Sequence, residues 1–102
     1  MRKADLVNRI SDKTGIAKVD VLVALECFFR EVKESLKHGE NVYVRGFGSF
    51  VVKTRKQKIG RIISRNEAMV IPEHLIPKFK PAKIFMKEMK DAVIPKNRSI
   101  ES

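Results

Sequence analysis

The chain has 102 residues, a mass of 11.7 kDa and a formal net charge of +10, with 43% hydrophobic and 33% charged residues. This length limits it to one small domain, and this composition is that of a globular protein rather than a disordered one. The longest purely apolar run, residues 21–25, is too short to span a membrane.

Two helices are predicted in the N-terminal part of the chain. The first spans Lys3–Thr14 and is ended by Gly15. The second runs from about Lys18 to His38 and is closed by Gly39. Its first half is apolar on almost all sides, so it must be buried on more than one side. Because the chain has little else to cover this helix, we expect a second copy of the chain to cover it.

A hairpin and a long arm are predicted next. Residues 42–44 and 49–53 are β-branched or aromatic runs, and residues 46–48 form the tight turn between them. We predict that the second strand continues beyond the hairpin, without interruption, to a polar turn at residues 64–66. Residues 67–71 then return alongside it. The result is a two-stranded ribbon that projects roughly 30 Å from the body.

The C-terminal part is predicted to contain an edge strand and a helix. Residues 74–80 form the strand, and Pro77 confines it to a sheet edge or a bulge. Pro81 is expected at the first position of the last helix. The inner face of that helix is expected to include Ala82, Phe85 or Met86, Met89 and Val93. The predicted fold class is therefore α+β, with two N-terminal helices, a small antiparallel sheet with a protruding ribbon, and a C-terminal helix.

Residue patterns typical of enzymes are scarce. His38 and His74 have no cysteine or carboxylate nearby at metal-ligand spacing. Ser49 does not lie in a G-x-S-x-G pattern, and the GFG before it is not followed by G-K-[ST]. We expect no catalytic residue, no metal, no cofactor and no small-molecule substrate.

Two features indicate a cytoplasmic protein. The N-terminus, residues 1–5, reaches an acid at once and lacks the apolar stretch of a signal peptide. The single cysteine, Cys27, has no partner in the chain, which is typical of a small buried side chain in a reducing compartment.

Positive charge is concentrated in one quarter of the chain. Residues 41–66 contain seven Lys or Arg and no acid, whereas residues 1–40 contain eight bases and seven acids. Such a segment is typical of a polyanion binder, although a solvated basic loop would have the same composition. Lys3 and Lys83 stand at helix starts, where a cation opposes the helix dipole unless an anion such as a phosphate also binds there.

The arm combines cations with two aliphatic residues near its tip, Ile62 and Ile63. One interpretation is that an isoleucine wedges between base pairs while the cations follow the minor groove. The alternative is a small hairpin cap, or an apolar edge that the lysines protect. The cations of the arm are Lys53, Arg55, Lys56, Lys58, Arg61 and Arg65.

Three motifs carry a family resemblance. GFGSF, followed ten residues on by Gly60-Arg61, and PKFKPAK after the arm resemble the bacterial HU/integration host factor family over about residues 1–93. The resemblance implies an intertwined dimer, formed with itself or with a related subunit, whose β-arms wrap DNA through the minor groove and bend it. The main departure is that Ile63 stands where the family usually has an intercalating proline.

The resemblance also implies roles for individual residues. The expected DNA contacts are the arm cations named above together with Lys3, Lys83 and the wedge Ile63. The expected dimer core contains Leu25, Phe29, Phe47, Phe50 and Phe79.

The sequence therefore predicts an architectural DNA-binding protein of the nucleoid that bends and compacts DNA with low sequence specificity. Its DNA-binding domain would span residues 1–93, with the arm at about 53–72 and a polar tail at 94–102. Two alternatives remain open at this point. One is an RNA-binding or ribosome-associated protein, and the other is a structural module whose arms hold a protein partner.

Overall fold

The helices and strands of the computed structural model follow one another in the predicted order. The structure describes residues 1–62 and 67–95. Its elements are α1 (Lys3–Thr14), α2 (Lys18–Lys37), β1 (Val42–Val44), β2 (Gly48–Arg55), β3 (Lys58–Ile62), β4 (Glu67–Ile71), β5 (His74–Pro81) and α3 (Lys83–Asp91). The predicted α+β class is confirmed.

The two N-terminal helices begin and end within one residue of the predicted positions. Gly15 and Gly39 follow them in the left-handed conformation, with φ of 77° and 80°, which glycine adopts without strain. Val7 of α1 and Val21 of α2 are the buried hydrophobic residues of the described chain, at 6% and 4% exposure. The helices pack on each other, but a single chain places few side chains fully in a core.

The hairpin between β1 and β2 depends on glycine at two positions. Gly46 lies in the turn with φ of 82°. Val44, the last residue of β1, pairs with Gly48, the first residue of β2. A Cβ atom on Gly48 would lie 2.6 Å from the Lys80 carbonyl oxygen and 2.7 Å from the Phe79 ring. Glycine at this position therefore allows β2 to approach β5 closely.

The body of the protein carries a three-stranded antiparallel sheet in the order β1-β2-β5. Strand β5 lies at one edge of this sheet, which confirms the predicted edge position of Pro77. The aromatic face of the sheet packs against α2, since the Phe28 and Phe50 ring centroids are 6.4 Å apart.

The long strand predicted after the hairpin is interrupted. Residues 56–57 separate β2 from β3, and residues 72–73 separate β4 from β5. Pairing resumes at Lys58 and Ile71, so β3 and β4 form a two-stranded sheet of their own. The prediction of an unbroken strand was wrong because the break comes from the returning chain, where Pro72 has no N–H to donate to the ladder.

The last helix begins later than predicted. Pro81 is the final residue of β5, paired with Gly48, rather than the first residue of the helix. Ala82 stays extended and its N–H donates to the Phe47 carbonyl oxygen at 2.9 Å, so α3 starts at Lys83. Hydrogen bonding to the hairpin turn thus overrides the preference of proline for a helix start.

Phe85 connects α3 to the phenylalanines of the body. Phe85 stacks on Phe47 with ring centroids 5.4 Å apart, whereas Met86 and Met89 are 48% and 60% exposed. Val93 lies beyond the end of the helix and is 91% exposed, so its predicted place on the inner face was wrong. Among the described residues, no helix is both long enough and apolar enough to cross a membrane.

Candidate nucleic-acid interface

Basic side chains are concentrated on one face of the three-stranded sheet. Phe50 and Phe79 are paired in register with ring centroids 5.2 Å apart, on the face that packs against α2. Because successive side chains of a strand point to opposite faces, the residues beside these rings lie on the outer face. Its four cations, which we call the basic face, are Lys53, Arg55, Lys78 and Lys80.

The basic face presents positive charge without a neighbouring acid. Across the β2–β5 ladder its cations are paired with Ile76, His74, Val51 and Ser49. All four cations are exposed, and none forms an ion pair with another described residue. Such a surface attracts polyanions, since no protein carboxylate competes for the cations.

The remaining predicted arm residues continue from this face. Lys56 lies in the interruption between β2 and β3, and Lys58 begins β3; both are exposed. Arg61 belongs to β3, three residues after Lys58. Ile63 and Arg65 lie outside the described residues.

The β3–β4 ribbon carries less charge than predicted. Of its ten strand residues, seven are Ile, Val, Met, Ala or Gly, and its charged residues are Lys58, Arg61 and Glu67. The difference arises because Lys53 and Arg55 belong to β2, in the three-stranded sheet. The positive charge of the region is therefore greatest at the base of the ribbon.

The two helix starts differ from each other. At α1, the backbone N–H of Arg2 donates to Asp5 Oδ2 at 2.8 Å, and Lys3 Nζ lies 2.9 Å from Glu26 Oε1 of α2. Carboxylates thus already occupy the neighbourhood of that helix start. At α3 the first turn contains Lys83 and no acid. The start of α3 is the more open of the two to an external anion.

All six phenylalanines of the chain form one connected cluster. Neighbouring rings in it have centroids between 5.0 and 6.4 Å apart. The cluster contains four of the five predicted dimer-core residues, while the fifth, Leu25, is half-buried on α2. Four of its rings remain between 40% and 45% exposed: Phe28, Phe29, Phe47 and Phe79. The cluster is closed on one side by its own chain and open on the other.

Sequence reasoning missed four residues of these surfaces. Lys78 and Lys80 were noted only as part of a motif, although their alternation with the inward-facing Phe79 signals that they share the opposite face. Phe28 was not singled out among the apolar residues of α2. Phe85 was predicted only as an alternative to Met86, because adjacent residues of a short helix both lie near its inner face.

The described parts of the chain form no side-chain cluster that could hold a metal ion. Within residues 1–62 and 67–95, His, Cys, Asp and Glu side chains do not come together in groups of three or more. Cys27, expected to be buried, is exposed, because it lies on a side of α2 that its own chain does not cover.

Comparison with known sequences identifies relatives over most of the chain. A family model described as bacterial DNA-binding protein matches residues 1–90. The DNA-binding protein HU of Geobacillus stearothermophilus is 37% identical over 93 residues, which are 91% of this chain and 99% of that protein. The integration host factor subunit alpha of Idiomarina loihiensis is 35% identical over 92 residues, which are 90% of this chain and 94% of that one.

Solved structures show the same fold. The HU chain of an Anabaena HU–DNA cocrystal structure superposes with a TM-score of 0.82 at 31% identity, covering 87% of this chain and 97% of that one. HU from Thermotoga maritima superposes with a TM-score of 0.62 at 29% identity, covering 87% and 98% of the two chains.

Proposed function

The chain belongs to the bacterial DNA-binding protein family, and on that basis we propose that it binds double-stranded DNA and bends it as an architectural protein. It shapes DNA rather than catalysing a reaction, and it needs no cofactor or small-molecule substrate. The protein's preference among DNA sites depends on how easily each DNA sequence bends and not on contacts to particular bases. Its sequence specificity is therefore low. The DNA that it organises is that of the nucleoid, in the cytoplasm.

The observation that carries this proposal is the basic face. Four exposed cations on two neighbouring strands have no acid beside them, and the ribbon continues directly from the same two strands. DNA lying on this face would meet the cations through its phosphates, while the ribbon follows a groove. Phosphate contacts supply most of the affinity of a protein of this kind.

The proposed contacts combine the predicted residues with those that the fold adds. Lys78 and Lys80 join the predicted DNA contacts as partners of phosphates. We propose Ile63 as the wedge between base pairs, since isoleucine is among the apolar residues that can unstack a base step. The cations from which the phosphate contacts are drawn are Lys3, Lys53, Arg55, Lys56, Lys58, Arg61, Arg65, Lys78, Lys80 and Lys83.

A dimer is proposed because a single chain leaves its apolar surfaces open. The radius of gyration is 19.1 Å, whereas a compact chain of this length has one of about 13 Å. The accessible surface is 9364 Å², against roughly 5,900 Å² for a compact monomer of this mass. The open phenylalanine cluster and the uncovered side of α2 are the surfaces that a second subunit, identical or related, would bury.

The proposal is tested by titrating fluorescent duplex DNA with the protein at several salt concentrations. We expect binding to random duplexes, with a slope of log K against log salt of about −5 to −7 for six to eight phosphates. Energy transfer between dyes at the two DNA ends should rise on binding, because the duplex bends. Nicked duplexes should bind more tightly, since they bend at lower energetic cost.

A competition with double-stranded RNA separates the proposal from its main alternative. A ribbon suited to the DNA minor groove should not enter the deep, narrow groove of an A-form helix. Equal or stronger competition by RNA would contradict the proposal. Failure to bind any duplex at moderate salt would contradict it as well.

The ion pair between Lys3 and Glu26 is expected to weaken DNA binding. Lys3 must share or leave Glu26 to contact a phosphate, and both side chains are about half exposed, at 50% and 44%. Exposed pairs contribute about 0.2–1 kcal/mol, so Glu26→Gln should tighten duplex binding about two- to fivefold. The measurement is the Kd for one duplex at fixed salt.

Glu34→Gln is the matched control for this change. Glu34 forms a similar ion pair with Lys37, at 3.5 Å, near the C-terminal end of α2. The Glu34→Gln substitution removes the same charge without freeing a proposed phosphate contact, so it should tighten DNA binding less than Glu26→Gln. An equal effect of the two variants would show that only net charge matters.

A further inference from the structure

An exposed aliphatic pair stands on the β3–β4 ribbon. Ile59 and Val70 lie directly opposite each other in the ladder and are 75% and 58% exposed. Side chains of residues paired in this way lie on the same face and close together. Phosphate contacts do not account for the pair, because neither side chain carries charge.

The other face of the ribbon is partly covered by the ribbon's own side chains. Gly60 pairs with Met69 on that face, and a Cβ atom on Gly60 would lie 3.2 Å from Ile71 Cδ1. Ile71 is accordingly half-buried, and it fills the space above the glycine. Ile59 and Val70 thus lie on the more exposed face of the ribbon, since Ile71 on the other face is half-buried and Met69 there is 46% exposed.

We propose that Ile59 and Val70 form the groove-facing surface of the arm and pack against deoxyribose in the DNA minor groove. This inference rests on the proposed function, and it assigns to the ribbon a contact that does not depend on charge. The minor groove is walled by sugars whose C–H surfaces alternate with phosphates. Arg61 stands two residues after Ile59 in β3, so an apolar position is followed by a cationic one along the strand, as sugar is followed by phosphate along the groove.

The proposal has a measurable consequence for salt dependence. Counterion release depends on the number of phosphates that the protein neutralises, so it sets the slope of log K against log salt. Contacts between aliphatic side chains and sugars release no counterions. Removing them should therefore lower the affinity by the same factor at every salt concentration.

The test compares the parent protein with the double variant Ile59→Thr/Val70→Thr. Threonine keeps the β-branched shape and the strand preference, and it replaces a methyl-bearing surface by a hydroxyl. We expect the Kd for random duplex DNA to rise about tenfold, with an unchanged salt slope. Circular dichroism with thermal melting checks that the variant is folded.

Two further variants keep the test decisive. Ile59→Val/Val70→Ile preserves an aliphatic pair and should bind DNA within about twofold of the parent. Val93→Thr makes the same kind of change at a residue that is 91% exposed beyond α3, and it should leave the Kd unchanged.

The outcomes are distinguishable from failure of the proposed function. If the parent binds duplex DNA with the expected slope but the threonine variant binds equally well, the groove-facing role of the pair is overturned while the function stands. A variant that binds DNA normally but no longer self-associates in sedimentation experiments would assign the pair to protein–protein contact and also overturn it. A parent that does not bind duplex DNA at all would refute both.

Discussion

Replacing Phe47 by alanine is expected to leave little folded protein at micromolar concentration. Its ring contacts three others, those of Phe50, Phe79 and Phe85, at centroid distances of 6.4, 5.0 and 5.4 Å. Truncation of a core phenylalanine costs about 3–5 kcal/mol, and a dimer suffers that loss in both subunits. Small domains are stable by only about 5–15 kcal/mol in total, so this single change should remove most of the stability.

The measurement is thermal unfolding by circular dichroism at two protein concentrations, together with sedimentation equilibrium. The parent should be a dimer whose Tm rises with concentration, because association stabilises the folded state by mass action. The variant should melt at least about 15 °C lower, or be unfolded already at 25 °C. A parent Tm that does not depend on concentration would argue against an obligate dimer.

Tyr43→Ala is the matched control for this prediction. Tyr43 is also an aromatic residue of the sheet, but it pairs with Ser49 on the outer face and is 74% exposed. Its removal takes away little buried surface, so the Tm should change by only a few degrees. If both variants were equally destabilised, the loss would be one of strand preference and not of the phenylalanine cluster.

The helices could be predicted from the sequence because their signals are local. Apolar residues recur at helical spacing in Lys3–Thr14, and Gly15 and Gly39 stand where a left-handed residue ends a helix. The start of α3 could not be predicted in the same way. Pro81 has the local character of a first helical residue, but its pairing with Gly48, a contact distant in sequence, holds it in β5.

The basic face shows the same limit for the candidate site. The excess of positive charge was visible in the sequence, and it indicated a polyanion partner. Its location was not visible, because Lys78 and Lys80 join Lys53 and Arg55 only through the β2–β5 register. The aromatic pair of Phe50 and Phe79 decides which face of that sheet is outward, and no local pattern contains this information.

The break in the arm has a similar origin. Residues 53–63 contain no proline, so a continuous strand was the natural prediction. The break at residues 56–57 follows from Pro72 in the facing segment. Pro72 is distant in sequence, and that it faces the break is known only from the register of the ladder. The break separates a cation-rich sheet from an aliphatic ribbon, and these two parts are expected to contribute differently to DNA binding.

The second large effect is expected from the double variant Lys78→Gln/Lys80→Gln. Each removed phosphate contact should make the slope of log K against log salt shallower by about 0.9, so four contacts in a dimer change it by about 3–4. The same four contacts should weaken duplex binding at least about 100-fold at 0.1 M salt. Both cations lie on the outer face of an edge strand and are exposed, so the fold should be unaffected.

Lys33→Gln/Lys37→Gln is the charge-matched control. Both residues are exposed on α2, which packs against the opposite face of the sheet. This variant has the same net charge as Lys78→Gln/Lys80→Gln, and it should retain most of the affinity and of the slope. Lys78→Arg/Lys80→Arg should retain both as well. Equal losses in the Lys33/Lys37 and Lys78/Lys80 glutamine variants would mean that overall charge, rather than the basic face, governs binding.

The salt slope thereby separates the two parts of the proposed interface. Loss of Lys78 and Lys80 should weaken binding most at low salt and least at high salt, because counterion release is the term that is removed. Loss of the Ile59–Val70 pair should weaken binding equally at both. If the two effects add in a combined variant, DNA contacts the basic face and the Ile59–Val70 pair independently. A combined loss much smaller than the sum would instead mean that the ribbon reaches its groove only when the sheet has first bound the phosphates.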